Sequence, residues 1–168
     1  PPEKLDYITR KNHQGVIAWI SAIEFQDIEN LLPHIFEEGN EPLLLMLDGV
    51  NDVRNFGAIV RSASCFGAHA VIIPEKSSAH ISADAVKASA GALSTFPVCR
   101  VKSITKCLTY LKESGVRAVA AHEKARNSIQ DSVLTGPVVI ILGSEEKGIS
   151  RELLTMSDLQ VSVPISGS

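Results

Sequence analysis

The chain has 168 residues, 45% of them hydrophobic, with 16 lysines and arginines against 19 aspartates and glutamates for a formal net charge of −3. That is the size of one ordinary domain with enough apolar material for a core, which excludes a disordered chain. No apolar run approaches the roughly 18 residues of a membrane span, no hydrophobic stretch follows the polar opening as in a secretory leader, and the three cysteines form no C-x-x-C, so a cytoplasmic protein without a disulfide framework or zinc knuckle is expected.

Residues 1–14 are polar and suggest no chemistry; His13 reads as a capping or solvent-facing side chain. Residues 15–21 (GVIAWIS) read as a strand or extended arm in which Trp19 packs, and 25–38 as a short helical pattern interrupted at Pro33. Residues 1–40 are thus expected to be an N-terminal arm or linker ahead of a domain covering 41–168.

That domain opens on an apolar run, Leu43 to Leu47, which stops at Asp48-Gly49. A polar loop with Asn51, Asp52, Arg54 and Asn55 follows. From Gly57 the apolar positions Ile59, Val60, Ala63 and Phe66 recur three and four apart, Gly67 stands where a helix C-cap belongs, and Val71-Ile72-Ile73 reads as a second strand. The unit is βαβ with parallel strands, and its loop lies at the carboxyl end of the first strand, where open α/β sheets bind ligands. Asn55 and Arg61 are therefore the first candidate functional residues. Six positions apart, they place Arg61 just over one turn into the helix and pointing back toward the loop.

A polar loop is expected at 77–80, then a small-residue helix at 82–93 with Ser82 as N-cap, Lys87 outside and close packing through its alanines and glycine. Further strands are expected at 98–101 and 116–121, with a helix at 104–111 between them. His122 follows the second of these strands at the ligand-binding edge, either lining a pocket or making a local hydrogen bond. Residues 138–142, bounded by Pro137 and Gly143, read as a buried central strand, followed by a loop to Gly148 and a helix capped by Ser150. Glycines around Ser144 and Glu145 let backbone approach a ligand. The order of residues is not that of a phosphate loop, and Glu145 and Glu146 suit a cationic ligand better than a phosphate. A last strand at 159–163 turns at Pro164 and Gly167. Strands alternate with helices throughout, which predicts an α/β fold with a mainly parallel sheet flanked by helices. The histidines have no ligand spacing, so no metal is expected. Charge is uneven: three basic against nine acidic residues up to position 48, and eight against two from 87 to 126, a stretch that either faces phosphates or is simply solvated.

Asn55, Gly57, Ala58, Ile59, Arg61, Ala63, Phe66 and Gly67, as N-x-G-A-I-x-R-x-A-x-x-F-G, resemble the first motif of the SpoU (TrmH-like) RNA 2′-O-ribose methyltransferases. Gly143, Glu145 and Gly148 resemble the second, G-x-E-x-x-G, though the family often has glycine where Glu146 stands. Residues 163–168, VPISGS, resemble the opening of the third. Lys87, Ser89 and Gly91 resemble a family segment K-x-S-A-G-A, and residues 13–18 resemble the segment that follows an N-terminal RNA-binding domain in the ribosomal-RNA branch. The resemblance implies a SPOUT-class fold with a C-terminal trefoil knot whose closing segment, a Ser-Leu-Asn stretch and a long helix, is absent from this sequence. It implies S-adenosylmethionine as methyl donor, RNA as substrate and a homodimer. It further implies catalytic roles for Arg61, Asn55 and Glu145, with Glu145 or Asn55 holding the arginine, and a cofactor pocket from Leu142, Gly143, Val163, Pro164 and Ile165 together with His122. The target it points to is a guanosine of 23S ribosomal RNA. A tRNA methyltransferase and a non-catalytic RNA-binding or dimerisation module of the same fold remain as alternatives; a dinucleotide-dependent dehydrogenase is discounted, since G-x-G-x-x-G is missing after the first strand.

Overall fold

The computed structural model describes residues 7–8, 23–76 and 81–164. The expected arm at 15–21 with Trp19, His13, the loop at 77–80, Ile165 and Gly167 lie outside the described residues.

The apolar runs become strands β1 (Leu43–Asp48), β2 (Ala70–Pro74), β3 (Val98–Val101), β4 (Arg117–Ala121), β5 (Asn127–Ser128), β6 (Val138–Gly143) and β7 (Leu159–Ser162) of one sheet, in the order β3-β2-β1-β6-β4-β7-β5. Every pairing is parallel, as the alternation of strands and helices predicts. Helices α1 (Ile28–Glu37), α4 (Ile104–Glu113) and α5 (Arg151–Met156) cover one face through Leu32, Leu108, Leu111 and Leu153, which pack with Leu44, Met46, Val139 and Ile141. Helices α2 (Val53–Cys65) and α3 (Ala83–Ala88) cover the other through Phe56, Val60 and Ala85, against Leu47, Val71 and Ile73. Successive side chains on a strand point to opposite faces, so these continuous apolar runs supply both layers at once.

Several boundaries differ from expectation for local reasons. Helix α1 runs through Pro33 without a break, because Ile28, Leu32 and Ile35 bury one face on both sides of it. Helix α2 starts at Val53, not Gly57. The Asp52 carboxylate caps it, its Oδ1 accepting the N–H groups of Arg54 and Asn55 at 2.9 and 2.8 Å, which moves Asn55 from the loop onto the first helical turn. At the far end Gly67 takes φ +74° and the Ala68 N–H bonds the Ala63 carbonyl, the glycine-terminated close expected there.

Ser82 does cap α3, but the helix ends at Ala88 rather than 93. The chain turns through Ala90 (φ 50°) and Gly91 (φ 88°) into a short 3-10 turn, Ala92–Ser94. Ser89, fully buried, stitches this corner: its Oγ donates to the Val86 carbonyl at 2.7 Å and accepts the Leu93 N–H at 3.1 Å. The close packing expected of this segment is met at Gly57, where an added Cβ would lie 2.6 Å from the Ala88 Cβ and 2.9 Å from the Ala85 carbonyl oxygen. Strand β5, with no apolar run behind it, is not foreshadowed by pattern. Pairing with β7 and a hydrogen bond from Ser162 Oγ to the Asn127 carbonyl hold it.

Among the cysteines, Cys65 is exposed while Cys99 and Cys107 sit in the core. Burial pushes both buried thiols up to about 12, helped by the charge of Asp27 for Cys99 and by Cys99 and Glu29 for Cys107. The exposed end of that layer is tied by charge. Lys112 Nζ on α4 meets Asp158 Oδ1 at 2.7 Å and the Met156 carbonyl at 2.5 Å, while Asp158 Oδ2 accepts the Ala118 N–H at 2.8 Å. Burial works to raise the Asp158 pKa, but the Lys112 and Ala118 hydrogen bonds, with the Lys112 and Arg117 charges, outweigh it and hold the carboxyl below the usual carboxylate range. A group whose folded pKa is depressed contributes stability above its unfolded pKa and loses it as pH falls through the folded one. Thermal melts of the wild type and Asp158→Asn should therefore differ most above about pH 5 and converge in acid, below the ordinary aspartate value of about 3.9; a constant offset at every pH contradicts the assignment.

Candidate active site

Strands β1 and β6 are neighbours, paired over their full length from Leu43↔Val138 to Asp48↔Gly143. From their carboxyl ends the chain departs in opposite directions, into α2 on one face and α5 on the other. Such a switch point leaves a crevice between the two loops. Here the crevice has a volume of about 750 Å³ and is lined by Asp48, Asn51, Asp52, Asn55, Glu145 and Lys147 among others from the two loops, with Ala58 and Ile59 of α2 behind them.

The 143–150 loop is shaped by contacts to itself and to β1. An added Cβ at Gly143 would meet Gly148 and Ile149 backbone atoms at 2.0 to 2.3 Å, so only glycine lets the turn fold back on the strand end. The turn closes where the Gly148 N–H reaches the Ser144 carbonyl at 2.8 Å and the Lys147 N–H reaches Ser144 Oγ at 3.1 Å. Ser150 does not cap α5 with its side chain, contrary to expectation. Its backbone N–H instead donates to Asp48 Oδ2 at 2.7 Å, so the carboxylate ending β1 anchors the start of the helix after β6. Neither Asp48 nor Asp52 stands out from sequence as a site residue. Asp52 carries a readable signal as the polar residue before an amphipathic helix, whereas Asp48 acts across 102 positions and leaves none.

Across the crevice Asn55 Nδ2 donates to Glu145 Oε1 at 2.7 Å, joining the first and second motifs through residues 90 apart. Of the two expected partners, Asn55 is the one that Glu145 holds. Arg61 is exposed and makes no ion pair or side-chain hydrogen bond among the described residues. At about 100° per residue it lies about 120° around α2 from Asn55, on the outer flank of the helix rather than directly over the Asn55–Glu145 pair. Asp48, Asp52, Glu145 and Glu146 face Lys147 alone, so the crevice is acidic and favours a cation.

The other expected residues lie along the same carboxyl edge. Gly143 lines the crevice and Leu142, half-buried, lines the adjoining apolar groove beside α2. His122 follows β4, the next strand over, where its Nε2 meets Gln160 Oε1 at 3.1 Å and Gln160 Nε2 donates to the Leu154 carbonyl at 3.0 Å. Because that amide gives its nitrogen to a carbonyl, its oxygen is the acceptor and His122 Nε2 the donor between them. Val163 and Pro164 follow β7, the strand beyond β4, and are exposed. Among the described residues no group of three or more His, Cys, Asp or Glu could hold a metal ion.

Removing the Asp48 acceptor should loosen the second loop. Asp48→Ala is expected to cost about 1 kcal/mol in urea denaturation, with Asp48→Asn, which keeps an acceptor, costing less; equal losses would show that the bond to Ser150 is not what matters.

The model of the SpoU rRNA Methylase family matches residues 42–168. Over 157 residues the chain is 38% identical to the 23S rRNA (guanosine-2'-O-)-methyltransferase RlmB of Photorhabdus laumondii, covering 93% of this chain and 64% of that one. An uncharacterized tRNA/rRNA methyltransferase of Mycobacterium ulcerans is 37% identical over 168 residues, 99% of this chain and 54% of the relative. Among solved structures, the SpoU methyltransferase AviRb from Streptomyces viridochromogenes, in complex with the cofactor AdoMet, superposes with a TM-score of 0.74 at 25% identity over 86% of this chain and 57% of that one. The chain thus spans roughly half to two thirds of the length of the proteins it resembles.

Proposed function

Because the chain belongs to the SpoU rRNA methylase family, we propose that it is the catalytic domain of an RNA ribose 2′-O-methyltransferase that uses S-adenosylmethionine and acts on a guanosine of 23S ribosomal RNA. The observation that carries this reading is the crevice at the β1/β6 switch point, where the Asn55–Glu145 hydrogen bond brings the first two family motifs together. The 23S rRNA guanosine specificity of the Photorhabdus laumondii relative supports the choice of target. The AdoMet-bound AviRb structure supports the donor.

S-adenosylmethionine supplies a methyl group activated by a sulfonium centre. This chain's own fit to it lies in the Gly143 turn, which keeps backbone free of any Cβ at the strand end, and in the acidic lining that favours a positive charge. Leu142, Gly143 and, at the ends of β4 and β7, His122, Val163 and Pro164 would hold it, chiefly through backbone groups, together with Ile165 of the third motif. Asn55 keeps the Glu145 carboxylate in place on the opposite wall. Arg61 serves the acceptor. A guanidinium 4 Å from a developing alkoxide is worth about 4 kcal/mol at an effective dielectric of 20, about three pKa units of a ribose hydroxyl. A guanidinium is a fixed cation and a poor base, so the arginine stabilises the oxyanion or a neighbouring phosphate rather than taking the proton. On the outer flank of α2 and without an ion pair among the described residues, it is open to RNA.

A homodimer accords with the apolar groove formed by Leu43, Leu45, Ile59, Phe66, Ile140 and Leu142, in which Phe66 is 83% exposed. A contiguous apolar groove open to water is a common mark of an interface.

Calorimetry with S-adenosylmethionine tests the reading: heat of binding is expected, and its absence at millimolar donor would leave a non-catalytic module of the same fold. Arg61→Ala should reduce methyl transfer to RNA at least a hundredfold while leaving donor affinity within about twofold; an equal loss of donor affinity would place Arg61 in the donor pocket instead.

A further inference from the structure

The basic stretch from 87 to 126 does not form one surface. Arg100 stacks on the Phe25 ring at 3.6 Å, Lys112 is bound to Asp158, and Arg117 Nη1 donates to the Val133 carbonyl at 2.9 Å. Lys102 and Lys106 flank or lie on α4, on the opposite face of the sheet from α2. Lys87 is different. It stands on α3 across a recess of about 630 Å³ from Arg54, on the first turn of α2, and neither side chain has an ion pair or hydrogen bond among the described residues. The recess shares Asn51 and Asp52 with the crevice, so the β1–α2 loop is a wall common to both. The separation of its two sides is fixed, because α3 is pressed onto α2 at Gly57 and Ala88.

Two carboxylates also face this recess. Asp52 accepts the N–H groups of Arg54 and Asn55 through Oδ1 and keeps its charge, and Asp84 on α3 is the second carboxylate. The formal charges of the recess therefore balance, but among the described residues neither Arg54 nor Lys87 is within ion-pair distance of a carboxylate, so both keep their donors open to a bridging anion such as a phosphodiester. Arg61 stands seven residues beyond Arg54 on the same stripe of α2, about 10 Å further along the axis, so the unpaired cations run from the recess along the flank of the helix that bears the catalytic candidates.

We propose that the Arg54–Lys87 recess is a subsite for a backbone phosphodiester of the RNA strand next to the nucleotide being methylated. The inference rests on the methyltransferase reading and adds to it a place where the strand is gripped apart from the donor. Phosphate contacts of this kind set register and orientation without reading bases. The two recognition tasks are then divided by the β1–α2 loop: the acidic crevice on one side receives the cationic donor, and the recess on the other receives the anionic strand.

The test uses the full chain and a labelled single-stranded RNA oligonucleotide of mixed sequence, with anisotropy titrations across a range of potassium chloride concentrations. Arg54→Gln/Lys87→Gln should weaken binding on the order of tenfold and lower the slope of log affinity against log salt by about 0.7. Donor affinity by calorimetry should be unchanged, and Arg54→Lys/Lys87→Arg should restore most of the RNA affinity. Asp84→Asn, which removes one opposing charge, should tighten binding severalfold. Unchanged RNA affinity and salt slope in the glutamine double variant, with wild-type RNA and donor binding present, overturns the subsite and leaves the methyltransferase reading standing. A wild type that binds neither RNA nor S-adenosylmethionine overturns both.

Discussion

The pairing of β1 with β6 is the constraint on which the site depends. These strands are far apart in sequence and lie side by side with six residues in register, so Asp48 and Gly143 end level with one another. The two loops that continue from these ends leave the sheet on different faces, and the gap between them is the crevice. The bond from the Ser150 N–H to Asp48 fixes that gap at its floor, and the bond from Asn55 to Glu145 spans its mouth. Neither bond could form if the strands slipped by one residue, since a one-step slip exchanges the faces of every side chain on the strand.

The second organising feature is a separation of charge about the β1–α2 loop. On the crevice side Asp48, Asp52, Glu145 and Glu146 outnumber Lys147; across the loop Arg54 and Lys87 share their recess with Asp52 and Asp84, and among the described residues neither they nor Arg61 forms an ion pair. A methyltransferase brings together a positively charged donor and a polyanionic acceptor, and a single basic or acidic surface would serve one at the expense of the other. The overall charge of −3 conceals this arrangement, because net charge does not register local placement.

Much of this was legible in the sequence where one segment carries its own signal. The apolar runs at 43–47, 71–73 and 138–142 are central strands, 71–73 buried on both faces and the other two half-buried where Leu43, Leu45, Ile140 and Leu142 meet the apolar groove, and the glycines at 67 and 143 mark a helix end and a close backbone approach. The residues of the two motifs that meet, Asn55 and Glu145, were likewise singled out by type and spacing. What pattern could not supply depends on contacts between segments. Helix α3 is cut short by the Ser89 corner, and β5 exists only because β7 is there to pair with it. The role of Asp48 depends on a partner 102 residues away. Arg61 is the instructive middle case: spacing along the chain put it one turn into a helix, but the helix begins four residues earlier than expected, and rotation about its axis sets the guanidinium on the flank.

The distribution of the cysteines has a consequence for how the molecule can be watched as it opens. Cys65 stands at the exposed end of α2, whereas Cys99 and Cys107 lie in the layer beneath α1 and α4 with thiols pushed up to about 12. Alkylating reagents attack the thiolate, so the first sulfhydryl is modified in the native protein while the other two stay silent until that layer lifts from the sheet. The molecule thus carries an intrinsic clock for detachment of one face, readable by mass as labels accumulate, without any probe having been introduced.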